Sequence, residues 1–350
     1  MKTKKIKVFL GGYVNCTNAQ NLNCRALAKY LDKDNFECAV MLFPNGNLPM
    51  DSDLDGVKLF SCRHPIRYWH YITFLCGIMW CDVAYLPKGE IWKFCSKCLK
   101  LFRKKSFITV EGVIFGTNLE KSIAALGSEN AVRDSYHFTT KTYSITKYMS
   151  QKNNELLRIK SDGVLYLGVE TNQFQSQKRN RQVLCNIVFI GNNIRYKGIN
   201  DYYALAKSFQ DITFHIVGGG IEYNVAEEIE KRELKNCVYH GQIAELLNEM
   251  DLHIFPSRSE GFPKVTLETA AMGVPSVVYG DYGASEWITT GKNGFVVDTI
   301  DEIEAVVKNL QQHPEQLDSL AKEAIKLAKS FDWKVLVKDW EKVIETVYNK

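Results

Sequence analysis

The sequence predicts an α/β chain built as two doubly wound domains facing a cleft, each a parallel sheet covered on both faces by helices. Three observations predict it. Short apolar runs alternate with amphipathic helical stretches from end to end, the pattern of repeated βα units. The series starts again after residue 180, behind the polar stretch ETNQFQSQKRNRQ at 170–182, which has the composition of a linker. At 350 residues and 45% hydrophobic, the chain is long enough for two cores of ordinary size.

The elements follow in order. Lys7 to Leu10 reads as a first buried strand, Asn21 to Leu31 as a helix, Glu37 to Phe43 as a second strand, with DVAYLP and SFITV further on. The uncharged run YITFLCGIMWC, Tyr71 to Cys81, falls short of the roughly 20 residues a membrane span needs and reads as a core helix. The second series runs VLCNIVFIG, a helix from Asp201 to Phe209, ITFHIVGGG, a helix from Asn224, CVYHG, a helix near Ala244 to Met250, and LHIFPS. FDWKVLVKDWEKVIETVY sets Trp333, Leu336, Val337, Trp340, Val343, Ile344 and Val347 at helical spacing, a stripe that has to be buried. The expected boundaries are 1–170, 171–330 and a final helix in 331–350.

Composition excludes several classes. A net charge of +4 with 24% charged residues is too mild for a nucleic-acid protein, and no nucleic-acid motif is present. The apolar run after MKTKKIK is too short for a secretory signal. Ten cysteines with no export signal point to the reducing cytoplasm. Cys95 and Cys98 have the spacing of a zinc half-site without a second pair, so two thiols one helical turn apart is the reading adopted. HIVGGG follows a strand, but Tyr223 stands where a dinucleotide fingerprint needs its last glycine, which argues against a dehydrogenase. DSDLD at 51–55 holds an Asp-x-Asp with no phosphate motif beside it, and chance explains it.

SRSEGFPKVTLETAAMGVPSVV, 257–278, carries the chemistry. An apolar strand stops at Pro256 and Ser257, and ligands of open parallel sheets sit at such carboxyl ends. Gly261 permits a tight turn, Pro263 suits the first position of a helix, and the helix runs from Lys264 to Met272 before Gly273. Backbone N–H groups from about Lys264 to Thr266 make an anion site. Glu260 before the helix and Glu268 within it can each accept hydrogen bonds from vicinal hydroxyls. One anion site between two such carboxylates describes a sugar nucleotide. A solvated Glu260 and an ion-paired Glu268 is the structural alternative. Arg195 and Lys197, between a strand end and the next helix, could neutralise a diphosphate, or form an ordinary solvated loop.

With GVETNQF (168–174), IVFIG with its KG (187–198), IVGGG (216–220), VYHGQI (238–243), FPSRSEGFPKVTLETAAMGVPSVV (255–278) and GKNGFVVD (291–298), the chain resembles a retaining glycosyltransferase of family four. That family belongs to the group-one class with the GT-B fold of two Rossmann-like domains. The resemblance implies that Arg195 and Lys197 contact the donor diphosphate and that Glu260 hydrogen-bonds the donor sugar. Gly261, Phe262, Pro263, Lys264, Val265 and Thr266 would line the donor site, Glu268 would hold the ribose, and Gly241, Gln242 and Ile243 would border the base. Gly11, Gly12 and Glu111 fall on the acceptor or donor-sugar side, and the final helix crosses back to the first domain. Three departures stand out, one being Lys264, which stands where a neutral residue is common and would add a phosphate contact. Asn192 occupies the place of the usual strand-end arginine, and Glu111 stands where many members carry histidine.

The resulting expectation is retaining, metal-independent transfer of a hexosyl unit from a nucleoside diphosphate sugar, with no cofactor. The acceptor would be a glycan or lipid-linked molecule in bacterial surface polysaccharide or lipopolysaccharide synthesis. A non-catalytic sugar-nucleotide binding or scaffold subunit is the alternative. Lys93, Lys97, Lys100 and Lys104 recur at helical spacing beside Phe94, Cys98 and Leu101. Such a face fits peripheral contact with an anionic membrane, at the cytoplasmic face of the inner membrane, and equally an ordinary solvated helix.

Overall fold

The computed structural model describes residues 4–50, 54–87, 91–174, 183–220, 223–241 and 246–350. The chain divides into two units, the first comprising Met1–Leu167 with Trp333–Lys350, the second Gly168–Asp332. Both are the doubly wound α/β units that the alternation predicts.

The first unit opens with β1 (Ile6–Tyr13), α1 (Ala19–Tyr30), β2 (Phe36–Leu42) and β3 (Lys58–Ser61). It continues with α2 (Ile66–Trp80), β4 (Val83–Tyr85), α3 (Trp92–Leu101), β5 (Lys105–Val110), α4 (Gly116–Leu126) and α5 (Glu129–His137). β6 (Lys141–Ser144), α6 (Lys147–Leu157) and the short β7 (Gly163–Val164) complete it. The strands lie in the order β3-β2-β1-β4-β5-β6-β7, all parallel. Asn18, Ser128 and Thr146 side chains accept from the first-turn N–H groups of α1, α5 and α6, the capping that fixes where these helices start.

β1 is longer than the sequence predicts and includes Gly11 and Gly12, both buried. α2 lies against it through Phe74, whose ring meets Phe9 edge-on at 5.9 Å. The apolar run at 71–81 is therefore a helix, as expected, but only half a core helix. Thr73, Phe74, Gly77 and Ile78 are buried, while Tyr68, Tyr71, Ile72, Cys76 and Met79 are exposed. Cys95 and Cys98 of α3 are buried in the same cluster as Phe9 and Phe74. Burial pushes both thiols above their ordinary range, so they pack as small hydrophobes.

The second unit contains β8 (Asn186–Asn192), α7 (Ile199–Ser208), β9 (Thr213–Gly219), α8 (Val225–Lys231) and β10 (Cys237–His240). Then come β11 (Leu252–Phe255), α9 (Lys264–Ala271), β12 (Ser276–Tyr279), β13 (Gly294–Val297), α10 (Ile300–Gln312) and α11 (Glu315–Ser330). The strand order is β10-β9-β8-β11-β12-β13, again all parallel. The helix expected near Ala244 to Met250 is instead a 3-10 turn at Leu246–Glu249 among the described residues. Tyr202 of α7 donates its hydroxyl to Ile187 O and His215 O, each at 2.9 Å, which ties the helix across β8 and β9. α9 and α11 pack through Ala270, Ala271, Ala324 and Ala328; such small side chains allow close helix approach.

The last helix, α12 (Trp333–Tyr348), belongs to the first unit, as the resemblance implies. Trp333, Val337, Trp340, Ile344 and Val347 of the expected stripe are buried, and Leu336 and Val343 are half-buried. Trp340 meets the Tyr85 ring at 5.3 Å, and its Nε1 donates to Tyr166 O at 3.1 Å. A buried indole that keeps its N–H partnered is a strong anchor.

Candidate active site

In the second unit the strand order reverses between β8 and β11. Loops leaving the carboxyl ends on either side of such a reversal flank a crevice. The loop after β8 carries Arg195 and Lys197; the loop after β11 carries Ser257 and Glu260.

Two close approaches shape these loops. Asn193 is in the left-handed region at φ 54°, and its N–H donates to Gly219 O at 2.7 Å. A 3-10 turn at Ile194–Tyr196 follows, with Ile194 fully buried as its anchor. Gly198 then adopts φ +81°, and a Cβ there would lie 1.9 Å from Pro256 O. Only glycine permits both the angle and the contact, which brings the turn holding Lys197 against the exit of β11.

Lys197 Nζ forms an ion pair with Glu260 Oε1. The same oxygen accepts from Ser257 Oγ at 2.7 Å, and Lys197 Nζ stands 5.9 Å over the Phe255 ring. The Glu260 side chain is 10% exposed and that of Lys197 27%. Glu260 Oε2 accepts no hydrogen bond from the described residues. The solvated Glu260 of the sequence alternative is thereby corrected, because a low-dielectric, half-buried setting favours the charged partner over water. Arg195 is exposed, with no ion pair among the described residues.

α9 begins at Lys264, with Pro263 at its cap position and no side-chain cap. The start at Lys264 is as expected, but Pro263 is the cap residue rather than the first helical one, and Met272 is the C-cap rather than the last helical residue. Thr266 N–H already donates to Pro263 O at 3.0 Å. Gly261 and Phe262 lead in, and the Phe262 ring lies 5.0 Å from that of Trp287 and 5.8 Å from that of Phe331. Val265 and Lys264 are half-buried, and Thr266 is buried.

Glu268 inverts the other half of the sequence alternative. It has no ion-pair or hydrogen-bond partner among the described residues. Burial raises its pKa, with Lys264 opposing. Beneath α9, His253 Nδ1 and Ser276 Oγ are 2.9 Å apart, and Thr269 Oγ1 is 3.2 Å from the same hydroxyl. Burial pushes His253 down to about 3, so it is a neutral packing group.

Gly241 is exposed with open space where a Cβ would stand. Gln242 and Ile243 lie outside the described residues, as do Asp51 and Asp53 of DSDLD. In the first unit, a Cβ at Gly12 would lie 2.7 Å from Cys24 Sγ, and one at Gly11 3.1 Å from Leu86. These glycines therefore serve strand–helix packing inside β1. Glu111 Oε1 accepts from Thr109 Oγ1 at 3.0 Å and from Tyr85 OH at 3.3 Å. Among the described residues, no three His, Cys, Asp or Glu side chains gather as a metal ligand set.

Sequence reasoning missed Ser257 and Gly198. Ser257 had a weak signal, a hydroxyl residue three positions before an acid. Arg258 was missed too: it pairs with Asp281 at 2.8 Å and stacks 3.9 Å over the Tyr279 ring.

Residues 170–327, which hold Arg195, Lys197, Ser257, Glu260 and α9, match the family profile described as glycosyl transferases group 1. Over that stretch the chain is similar to that family. The chain is 24% identical over 244 residues to an uncharacterised glycosyltransferase of Methanocaldococcus jannaschii, covering 63% of this chain and 65% of that one. A second relative is the N,N'-diacetylbacillosaminyl-diphospho-undecaprenol alpha-1,3-N-acetylgalactosaminyltransferase of Campylobacter jejuni, 26% identical over 209 residues, 56% of each chain. The chain thus spans about two thirds or less of the curated relatives it matches. Among solved structures, Anabaena Alr3699/HepE in complex with UDP-glucose superposes with a TM-score of 0.77 at 15% identity, covering 97% of this chain and all of that one. At that identity the likeness is one of fold.

Proposed function

We propose that the protein transfers a hexosyl unit from a nucleoside diphosphate sugar to a glycan or lipid-linked acceptor, with retention of configuration and without a metal ion, in bacterial surface polysaccharide or lipopolysaccharide synthesis. The observation that carries this reading is the Lys197–Glu260 pair, which joins the two loops of the strand reversal beside the uncapped start of α9.

The chemistry follows from the charges. The diphosphate lies at the N-terminus of α9, where the helix dipole and unshared backbone N–H groups favour anions. Lys197 turns part of its charge to the leaving phosphate, and Arg195, exposed and unpaired among the described residues, adds a second cation. This stabilises negative charge that grows only as the glycosidic bond breaks. Glu260 holds Lys197 in place through Oε1 and offers Oε2 to a sugar hydroxyl. Glu268 accepts from the ribose, and Gly241, Gln242 and Ile243 border the base. The leaving phosphate assists deprotonation of the acceptor, and residues of the first unit select that acceptor.

The relatives support the substrate classes. One bears the name of a diphospho-undecaprenol-linked N-acetylgalactosaminyltransferase, and HepE holds UDP-glucose. Ten free cysteines suit a reducing, cytoplasmic site of action. The test is calorimetric titration with UDP-, GDP- and ADP-sugars, followed by donor turnover in the presence of EDTA. Tight binding of one donor and EDTA-resistant turnover support the reading. Binding without turnover in any acceptor mixture leaves a binding subunit, and loss of turnover in EDTA removes the metal-free mechanism.

A further inference from the structure

Surface helices normally give their polar face to water, and α2 does not. Its inner face is buried on β1, yet its outer face is also apolar. Tyr68, Tyr71, Ile72 and Met79 are 58%, 42%, 40% and 51% exposed, Cys76 is exposed and Leu75 half-buried. These positions recur at the spacing of one helical stripe. Neither α2 nor the neighbouring α3 contains an Asp or Glu.

α3 packs beside α2, with the Phe94 and Tyr71 rings edge to face at 5.0 Å. It presents Lys93, Lys97 and Lys100 to solvent, and Leu101, 75% exposed. Arg63 and Arg67 stand exposed at the start of α2. An apolar stripe is thus bordered by cations on two sides, with no carboxylate on α2 or α3.

We propose that the outer faces of α2 and α3 form a docking surface for an anionic lipid bilayer. The stripe enters the boundary between headgroups and acyl chains, the tyrosines sit at headgroup level, and the lysines and arginines meet lipid phosphates. α2 has 15 residues, short of the roughly 20 needed to span, and no described helix is long and apolar enough to cross a membrane. It therefore lies in the surface. Charge complementarity favours lipid over a second copy of the chain, since an isologous contact would bring the two sets of cations together. This surface lies wholly in the first unit, so its test stands apart from donor chemistry in the second.

The experiment is co-sedimentation of the full chain with vesicles of phosphatidylglycerol and phosphatidylcholine, and of phosphatidylcholine alone, at low salt and at about 0.15 M. The expected result is association with the anionic vesicles that weakens with salt. Ile72→Asp with Met79→Asp, and separately Lys97→Glu with Lys100→Glu, should each lower partitioning about tenfold or more, with melting curves close to the parent's. Leu101→Asp provides an independent apolar variant should the first pair unfold. Parent protein that stays in the supernatant with anionic vesicles at low salt overturns the proposal. So does partitioning that ignores both sets of charges, or a lipid-free dimer, seen by light scattering, that Ile72→Asp dissolves.

Discussion

Lys197 and Glu260 stand 63 residues apart in the chain and share an ion pair, with Ser257 donating to the same carboxylate oxygen. The sequence assigns each a separate ligand group; the structure makes them one unit. Removing either leaves the other half-buried and unpaired. Lys197→Ala should therefore cut donor turnover about 10²- to 10³-fold. Combined with Glu260→Gln, it should cost clearly less than the sum of the two single changes. Single-turnover kinetics on the four proteins checks this, and additive losses would separate the two roles again.

Gly198→Ala probes the same approach without touching a charge. A Cβ 1.9 Å from Pro256 O at φ +81° forces the turn off the exit of β11. A loss of about 2 kcal/mol or more is expected in urea unfolding, together with weaker donor binding. Unchanged stability would mean that the turn has room to move.

Glu268 predicts a trade between stability and binding. Its pKa is raised by burial, so its ionised form is disfavoured in the folded, ligand-free chain. Glu268→Gln should raise the melting temperature without ligand and weaken nucleotide binding roughly tenfold or more. Thermal shift with and without nucleoside diphosphate reads both effects. A variant that is less stable and binds normally would contradict them.

Acid stability should depend on two buried histidines. Burial lowers His253 to about 3, and burial with His240 lowers His215 to about 4, against a weaker opposing pull from Glu249. Both fold neutral, whereas the unfolded chain takes up protons below its ordinary histidine pKa near 6.5. Their stabilising contribution is complete above that value and is lost as pH falls through it towards the folded values, at up to about 1.4 kcal/mol per pH unit for each. Urea midpoints measured between neutral and mildly acidic pH should fall accordingly, and His215→Gln should flatten the slope.

Trp340→Ala tests the return of the last helix. The indole is fully buried, edge-on to the Tyr85 ring and bonded to Tyr166 O. A loss of about 3 to 5 kcal/mol is expected, read by guanidinium unfolding.

What the sequence determined by itself was everything that repeats locally. The period of apolar residues in β1, β8 and β11, the glycine and proline around Glu260, and the stripe from Trp333 to Val347 each encode which face of an element is buried, because side-chain direction follows from backbone period alone. The group 1 resemblance rested on those same local strings. Tertiary structure alone decided which strands became neighbours, and with that which loops met. β8 and β11 pair although two strands intervene in the chain, so the partnership of Lys197 with Glu260 and the need for glycine at Gly198 had no local signal. The same limit applies to α2, apolar on both sides: its composition could not say which face β1 would cover and which it would leave to the surroundings. Local pattern sets the faces; the long-range closure of the sheet chooses their partners.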